Sequence, residues 1–260
     1  MLAIFNKGLA DAPKELRCPI HDGAPGPKLP AEILKDFMAS GNAVSMSFDC
    51  SASLTFSRPD RPSVSTQRFN IMNTCRLFCG LDGIYCIFHG SLHNLCGLIK
   101  QYGLSKATNE AMLVIEAYRT LRDRGPYPAD QVLKELEGDY GFVVFDSKAG
   151  TVFVASGANE GVRLFWGIAG DSSMVISDDL EVVKGSCGKS FAPFPAGCMF
   201  HSEQGLTSFL HPTKMMKAMP RIDSEGAMCG ANFKVDVHSK VNSMPRVGSE
   251  VNWVIWGQNA

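Results

Sequence analysis

The order of the apolar patterns along the chain is the feature that most restricts its fold. Strand-like runs dominate from Leu2 to Phe88, helical patterns follow as far as Leu136, and strand-like runs return after Gly138. Strands of a parallel sheet alternate with helices in βαβ units, and this chain shows no such alternation. The order therefore predicts an α+β domain in which helices pack on antiparallel sheets.

The strand-like runs of the first block are short. They cover residues 2–5, 43–48, 53–56, 76–79 and 84–88. Asp82-Gly83 predicts a two-residue hairpin turn between the last two runs. A Pro/Gly-rich loop at 18–30 and a helix at 30–38 precede the second run, and Pro30 suits the start of that helix.

Three helical patterns fill the middle of the chain. Apolar residues recur on one face over 91–102, 109–124 and 129–136. Thr108 is the predicted N-cap of the second helix, and Gly138 ends the third.

Four strand-like runs follow at a spacing of about eleven residues, which predicts an antiparallel meander. They cover 141–146, 151–155, 163–167 and 174–177, and a further run lies at 251–256. We expect residues 1–210 to form one domain and residues 211–260 to form a C-terminal extension packed on it.

Charge and hydropathy exclude several classes of protein. The 260 residues carry 25 Lys and Arg against 26 Asp and Glu, and 45% of them are hydrophobic. This balance gives no general attraction to nucleic acid, and the apolar content is too high for a mainly disordered chain. No apolar run approaches the roughly 20 residues that span a bilayer, so integral membrane association is not expected.

The nine cysteines predict buried, reduced thiols in a cytoplasmic protein, with a nuclear location also open. Six of them lie in or beside apolar runs: Cys50, Cys75, Cys79, Cys86, Cys198 and Cys229. None forms a C-x-x-C pair, and Cys75 and Cys79 with His89 and His93 are too loosely arranged for a zinc site. The first ten residues lack the long apolar stretch of a secretory signal. No metal or cofactor is expected.

Three segments resemble the glutamine amidotransferase domain of class II that stands at the front of asparagine synthetase. Residues 87–94, IFHGSLHN, resemble its V-x-N-G-E-I-Y-N segment, residues 136–146 its L-x-G-x-F-A-F-x-x-x-D run, and residues 194–197 its F-P-A-G element. The resemblance implies the fold of N-terminal-nucleophile hydrolases, a four-layer αββα sandwich of two antiparallel sheets between helical layers.

A closer resemblance covers nearly the whole chain. Tyr102-Gly103-Leu104 and Leu121-Arg122-Asp123-Arg124 look like the YGL and LRDR motifs of a plant family described as aluminium-induced or stem-specific proteins. This resemblance implies a protein of plant stress or metabolic responses. It implies no particular chemistry.

The catalytic chemistry of the amidotransferases needs an N-terminal cysteine. Its thiolate attacks the glutamine amide, its own α-amino group acts as the base, and an asparagine and a glycine N–H stabilise the oxyanion. Here Leu2 occupies the position of the cysteine and has no nucleophilic atom. The resemblance therefore assigns no catalytic residue in this chain.

Several pocket positions of the family match this chain only in part. Gly90 stands where the family has its glycine, and His89 replaces the asparagine; His89 either donates a hydrogen bond in the pocket or simply ends a strand. Arg68 either matches the arginine that binds the glutamine carboxylate or is a strand-edge charge. The glutamine-binding aspartate falls at Glu110 or Asn109, which equally suit the first turn of a helix.

The remaining motifs have structural interpretations as well. Arg122, Asp123 and Arg124 suit a helix end or an ion pair as well as a partner surface. Gly103 suits the left-handed position after a helix. Trp253 and Trp256 would cover either a sheet edge or a second subunit.

Three functions remain, in order of preference. The first is a catalytically silent, amidotransferase-like protein that binds a glutamine-like amino acid or amide or a protein partner, most simply as a homodimer. The second is an active amidohydrolase or amidotransferase with a non-standard nucleophile. The third is a mainly structural homodimer.

Overall fold

The computed structural model describes residues 1–18, 26–39, 43–49, 51–57, 75–123, 129–222 and 228–239. The first strands are β1 (Leu2–Phe5), β2 (Ala43–Phe48), β3 (Ala52–Ser57), β4 (Cys75–Leu81) and β5 (Ile84–Leu92). The helices are α1 (Pro30–Ala39), α2 (Leu95–Gln101), α3 (Glu110–Asp123), α4 (Ala129–Glu135) and α5 (Leu180–Cys187). The later strands are β6 (Gly138–Asp146), β7 (Thr151–Ser156), β8 (Phe165–Ile168), β9 (Met174–Ser177), β10 (Phe191–Pro193), β11 (Cys198–His201), β12 (Gly205–Ser208), β13 (Met216–Ile222) and β14 (Met228–Val235).

Two antiparallel sheets of six strands form the centre of the fold. One has the order β10-β8-β9-β1-β3-β2, and the other β12-β11-β7-β6-β5-β4. Their facing sides share one apolar core, in which Phe5 of the first sheet packs against Phe145 of the second at a ring distance of 5.8 Å. Trp166 and Phe200 meet edge to face across the same core.

The helices cover the outer faces of both sheets. Leu113 and Val114 of α3 belong to the apolar cluster that contains Phe88 and Phe142 on the outside of the second sheet. On the other side, Ile33 of α1 and Val183 of α5 pack with Leu2, Ile4 and Val175. The layers follow the order helix, sheet, sheet, helix, which confirms the predicted α+β fold of the N-terminal-nucleophile hydrolase type.

The predicted meander of four strands is wrong at its centre. The pairs β6–β7 and β8–β9 form as expected, but β7 and β8 belong to different sheets. Residues 157–164 cross between the sheets, and Val162 and Leu164 are buried on the way. Regular spacing predicts strands and turns, but it carries no information on which sheet a strand joins.

Two helix starts also differ from the predictions. Ser91 and Leu92 extend β5 by pairing with Asp139 and Gly138, so α2 begins only at Leu95. The N-cap of α3 is Asn109, whose Oδ1 accepts the N–H of Met112 at 2.9 Å, and not Thr108. An asparagine amide oxygen reaches the third helical N–H as well as a threonine hydroxyl does.

The hairpin turn at Asp82-Gly83 is confirmed, with φ angles of 54° and 87°. A second hairpin, β13–β14, lies after residue 210, and its Phe233 ring stands 5.4 Å from Trp166. The predicted strand at 251–256, with Trp253 and Trp256, lies outside the described residues, as does most of the predicted loop at 18–30.

The cysteines do not all behave as the sequence predicts. Cys86, Cys187, Cys198 and Cys229 are buried, but Cys75 and Cys96 are exposed. Cys75 is exposed because it begins β4, which is an edge strand. Cys50 lies outside the described residues. In the described part of the chain, no helix has the length and apolarity to cross a membrane.

Gly90 is a position where the fold depends on the absence of a side chain. Its φ is +119°, and a β-carbon there would overlap the carbonyl oxygen of Asp139 on the neighbouring strand. We expect Gly90→Ala to lower the free energy of unfolding by about 3 kcal/mol. Gly97→Ala is the matched control, since a β-carbon at this exposed position of α2 meets no atom within 4 Å. It should raise stability by about 0.5–1 kcal/mol in urea titrations. Equal effects of the two substitutions on stability would contradict the conclusion that the fold requires a glycine at position 90.

Candidate functional site

A buried carboxylate, Asp178, joins the two sheets at one end of the sandwich. Its side chain is 0% exposed and accepts two charged hydrogen bonds. The α-ammonium group of Met1 lies 2.6 Å from Oδ1, and Nε of Arg76 lies 2.6 Å from Oδ2. Both distances are short, as expected for charge-assisted hydrogen bonds.

His89 is the third group at this carboxylate. Its Nδ1 lies 3.1 Å from Oδ2 of Asp178, within ion-pair distance, but makes no hydrogen bond of good geometry. The His89 side chain is 14% exposed and lies at the edge of an open cavity. We refer to Met1, Arg76, His89 and Asp178 together as the Asp178 cluster.

The register of the strands explains why these four residues meet. β1 pairs with β9, so Met1 lies beside Asp178, and the hydroxyl of Ser177 donates to the Met1 carbonyl at 2.7 Å. Arg76 of β4 lies directly opposite His89 of β5, and directly opposed residues in an antiparallel pair point to the same face. Each sheet thus contributes two members of the Asp178 cluster.

Burial and neighbouring polar groups together set the pKa values in the cluster. Burial alone would raise the pKa of Asp178, but His89, the Met1 ammonium group and Arg76 outweigh it and hold that pKa well below its ordinary range. Burial lowers the pKa of the Met1 amino group, although the carboxylate of Asp178 opposes this effect. The cluster therefore holds a fixed negative charge beside an amine that loses its proton more readily than a solvated one.

Two cavities adjoin the Asp178 cluster and share Arg76, Asp178 and Asp179. One, of about 300 Å³, reaches Met1, Ser57 and α1. The other is open, has a volume of about 610 Å³, and extends past His89 to Glu160 and Arg163; we call it the His89 cavity. It presents both acidic and basic side chains to a ligand.

The predicted pocket residues lie in different places. His89 lines the open cavity. Leu2 is fully buried under α1 and α5 and lines neither cavity. Asn109 and Glu110 begin α3 on the outer face of the other sheet and also line neither cavity. Arg68 lies outside the described residues.

The family motifs have structural roles in the described residues. Gly103 adopts φ +65°, and the N–H of Leu104 donates to the carbonyl of Ile99, so YGL closes α2 as a Schellman motif after Tyr102. Arg122 pairs with Asp123 and donates to the buried carboxylate of Asp146 at 2.7 Å. The LRDR segment, whose Leu121 lies in the last turn of α3, thereby fixes α3 to the end of β6; Arg124 lies outside the described residues.

Sequence reasoning missed Met1, Arg76 and Asp178. The local signal for Asp178 is a pair of acids, Asp178-Asp179, between a strand and a helix, where Asp179 caps α5 through the N–H of Glu181. Such a pair predicts a cap and gives no hint of a distant ammonium partner. Arg76 gives no signal beyond a charge at a strand start.

The two facing antiparallel sheets between helical layers give the chain a glutamine amidotransferase-like fold of the N-terminal-nucleophile type. The model of a family described as "Aluminium induced protein" matches residues 2–235, and the chain belongs to this family. The tobacco (Nicotiana tabacum) stem-specific protein TSJT1 is 57% identical over 75 residues, which are 29% of this chain and 50% of the tobacco protein. The match thus spans half the length of that relative.

More distant similarities cover less of the chain or have lower identity. A probable glutamine-hydrolyzing asparagine synthetase of Dictyostelium discoideum is 35% identical over 74 residues, 28% of this chain and 13% of that protein. Among solved structures, the glutamine phosphoribosylpyrophosphate amidotransferase from B. subtilis aligns with a TM-score of 0.48 and 14% identity, over 80% of this chain and 48% of that one. A glutamine aminotransferase class-II domain protein from Silicibacter pomeroyi gives a TM-score of 0.35 and 10% identity, over 50% of this chain and 69% of that one.

Asp178→Asn tests the cluster. The substitution leaves the Met1 ammonium group and Arg76 without their counter-ion, so we expect a loss of about 3–5 kcal/mol in the free energy of unfolding at pH 7. Because the pKa of Asp178 is lowered on folding, its stabilising effect is complete above the unfolded value of about 3.9 and is lost as the pH falls through the folded value. The difference between native protein and variant should therefore shrink below about pH 4.

Asp36→Asn is the control for this measurement. Asp36 pairs with Lys28 at 2.7 Å in an exposed position, so its loss should cost less than about 1 kcal/mol. Urea titrations of the three proteins at pH 7 and at low pH give the comparison. If the free energies of unfolding of the native protein and of Asp178→Asn differed by the same amount at both pH values, a negative charge on Asp178 in the folded protein would be contradicted.

Proposed function

We propose that this chain is a catalytically silent, amidotransferase-like protein that binds a small amino acid or amide. One observation carries the proposal of catalytic silence. The amino group in the Asp178 cluster belongs to Met1, whose side chain packs in the core between the sheets, and the next residue is Leu2. Neither side chain offers the thiol or hydroxyl that attacks an amide.

The His89 cavity supports the proposed binding of a small amino acid or amide. Arg163 on its wall can pair with a carboxylate, and Asp179 and Glu160 can pair with an ammonium group. A free amino acid carries both charges. His89 supplies a ring that can hydrogen-bond to a side-chain amide. A glutamine-like ligand therefore fits the groups present, and the Dictyostelium relative is named for glutamine hydrolysis.

An active enzyme is the second candidate, and the Met1 amine is the observation in its favour. Its lowered pKa suits a general base, because an amine must lose its proton before it can accept one. This candidate needs a nucleophile from another residue. Buried thiols do not suit that role, since burial raises the pKa of Cys187 to about 12 and that of Cys198 to about 11.

A homodimer is the assembly we propose. The support is the uncharged edge strand β2, where Val44 and Met46 are exposed, since an edge strand without charges readily pairs with another strand. We further propose that residues 211–260 belong to the same folding unit as residues 1–210, that the protein acts in stress or metabolic responses, and that it resides in the cytoplasm or nucleus.

Glutamine hydrolysis tests catalytic silence. We expect the native protein to release glutamate and ammonia from L-glutamine no faster than buffer does, because the Asp178 cluster lacks a nucleophile. Leu2→Cys is the matched variant: removal of Met1 in front of the small residue would create an N-terminal thiol with an adjacent amine. Activity in the native protein would overturn the proposal, whereas activity in the variant alone would support an intact pocket without a nucleophile.

Thermal shifts with amino acids test ligand binding. We expect L-glutamine or L-asparagine to raise the Tm of the native protein, and Arg163→Gln to weaken this binding by about fivefold. Lys217→Gln, on the exposed face of β13, is the control and should leave binding unchanged. The absence of any shift across amino acids and their amides would contradict ligand binding and favour a protein partner.

A further inference from the structure

A further cavity, which adjoins the His89 cavity, lies beside the F-P-A-G turn, between the end of the first sheet and the β13–β14 hairpin. Its volume is about 470 Å³, and we call it the FPAG cavity. Most of its lining residues are apolar, among them Val162, Phe165, Leu180, Phe191 and Phe194. Three cations, Arg163, Lys184 and Arg221, line it against one acid, Glu160. A net positive charge over an apolar wall suits an anion with an apolar body.

Two of the three cations are held only weakly by their present partners. Arg163 lies 3.3 Å from Glu160, and both side chains are mostly exposed. Lys184 lies 2.9 Å from Glu181 in an exposed pair one helical turn apart. Exposed pairs of this kind contribute little free energy, so a ligand carboxylate can compete for either cation at small cost.

Arg221 differs because neutral groups hold it. Its Nε donates to the carbonyl of Cys229 and its Nη2 to the carbonyl of Phe191, each at 2.9 Å. The guanidinium carbon also stands 4.1 Å above the centre of the Phe191 ring. In the described ranges, no carboxylate lies within ion-pair distance of Arg221. Its position is thus fixed, and among the described residues its charge has no acidic partner, the state that favours recognition of a carboxylate.

We propose that the FPAG cavity binds a small organic carboxylate with an aromatic or aliphatic body. The apolar part would lie against Phe165 and Phe194, and the carboxylate would face Arg221 and Lys184. This site is distinct from the amino-acid site proposed above. The two cavities adjoin and share five lining residues, but Lys184 and Arg221 line only the FPAG cavity; the shared residues are Glu160, Val162, Arg163, Phe165 and Leu180.

Phenylacetate and phenylacetamide form the matched probes, since they share shape and differ in charge. We expect phenylacetate to raise the Tm of the full chain and phenylacetamide to have little effect at the same concentration. Inorganic phosphate is the third probe, and it should stabilise the protein less than phenylacetate does. An equal effect of acid and amide, or of phosphate and phenylacetate, would overturn the proposal, because charge or apolar body would then contribute nothing.

Two substitutions locate the site. Lys184→Gln should weaken phenylacetate binding about three- to fivefold, the range for one exposed charge pair. Arg221→Gln should weaken it by about tenfold or more, as expected for a fixed guanidinium–carboxylate pair. Lys217→Gln is the control. Arg221 also supports β14, so folding of that variant is checked by its unliganded Tm, and Lys184→Gln keeps the test decisive. Binding unchanged in Lys184→Gln would overturn the proposal, whereas loss of phenylacetate binding with amino-acid binding retained would support two separate sites.

Discussion

The buried carboxylate of Asp178 is the interaction that connects the two sheets at the site end of the molecule. It faces the Met1 ammonium group from its own sheet and Arg76 and His89 from the other. Charges without solvent need partners of opposite sign at hydrogen-bond distance. The strand registers that bring these partners together are therefore constrained as a set. A shift of β1 against β9, or of β4 against β5, would leave at least one buried charge without its partner.

The same cluster separates two parts of amidotransferase chemistry. An amine with a lowered pKa is present, and the two residues at this end of β1 have apolar side chains: Met1 faces the central core and Leu2 the outer layer. A general base and a nucleophile are separate requirements of amide attack, and a fold can hold one without the other. Met1 also fills core volume, which gives its side chain a packing role.

The sequence predicts local features well and the site poorly, for a physical reason. The hairpin at Asp82-Gly83 and the close of α2 at Gly103 follow from backbone conformations that a few adjacent residues decide. The four-layer fold was accessible only through family resemblance. Asp178 lies 177 positions from Met1 and 102 from Arg76, so no periodicity links them. The assignment of β8 to the other sheet likewise depends on tertiary packing.

The central position of β1 has a consequence for how the chain reaches its fold. β1 lies between β3 and β9, and Leu2 pairs with Ser177 across most of the sequence. During synthesis, residues 2–5 emerge long before residues 174–177 are made. One edge of this apolar strand therefore stays unpaired until β9 has been synthesised. Contacts between residues far apart in sequence form slowly, and unpaired strand edges are prone to aggregation. The first strand to be synthesised is thus a central strand of the sheet, and it is completed by one of the later strands. The yield of folded protein in cells should therefore depend on chaperones that bind β1 until β9 is available.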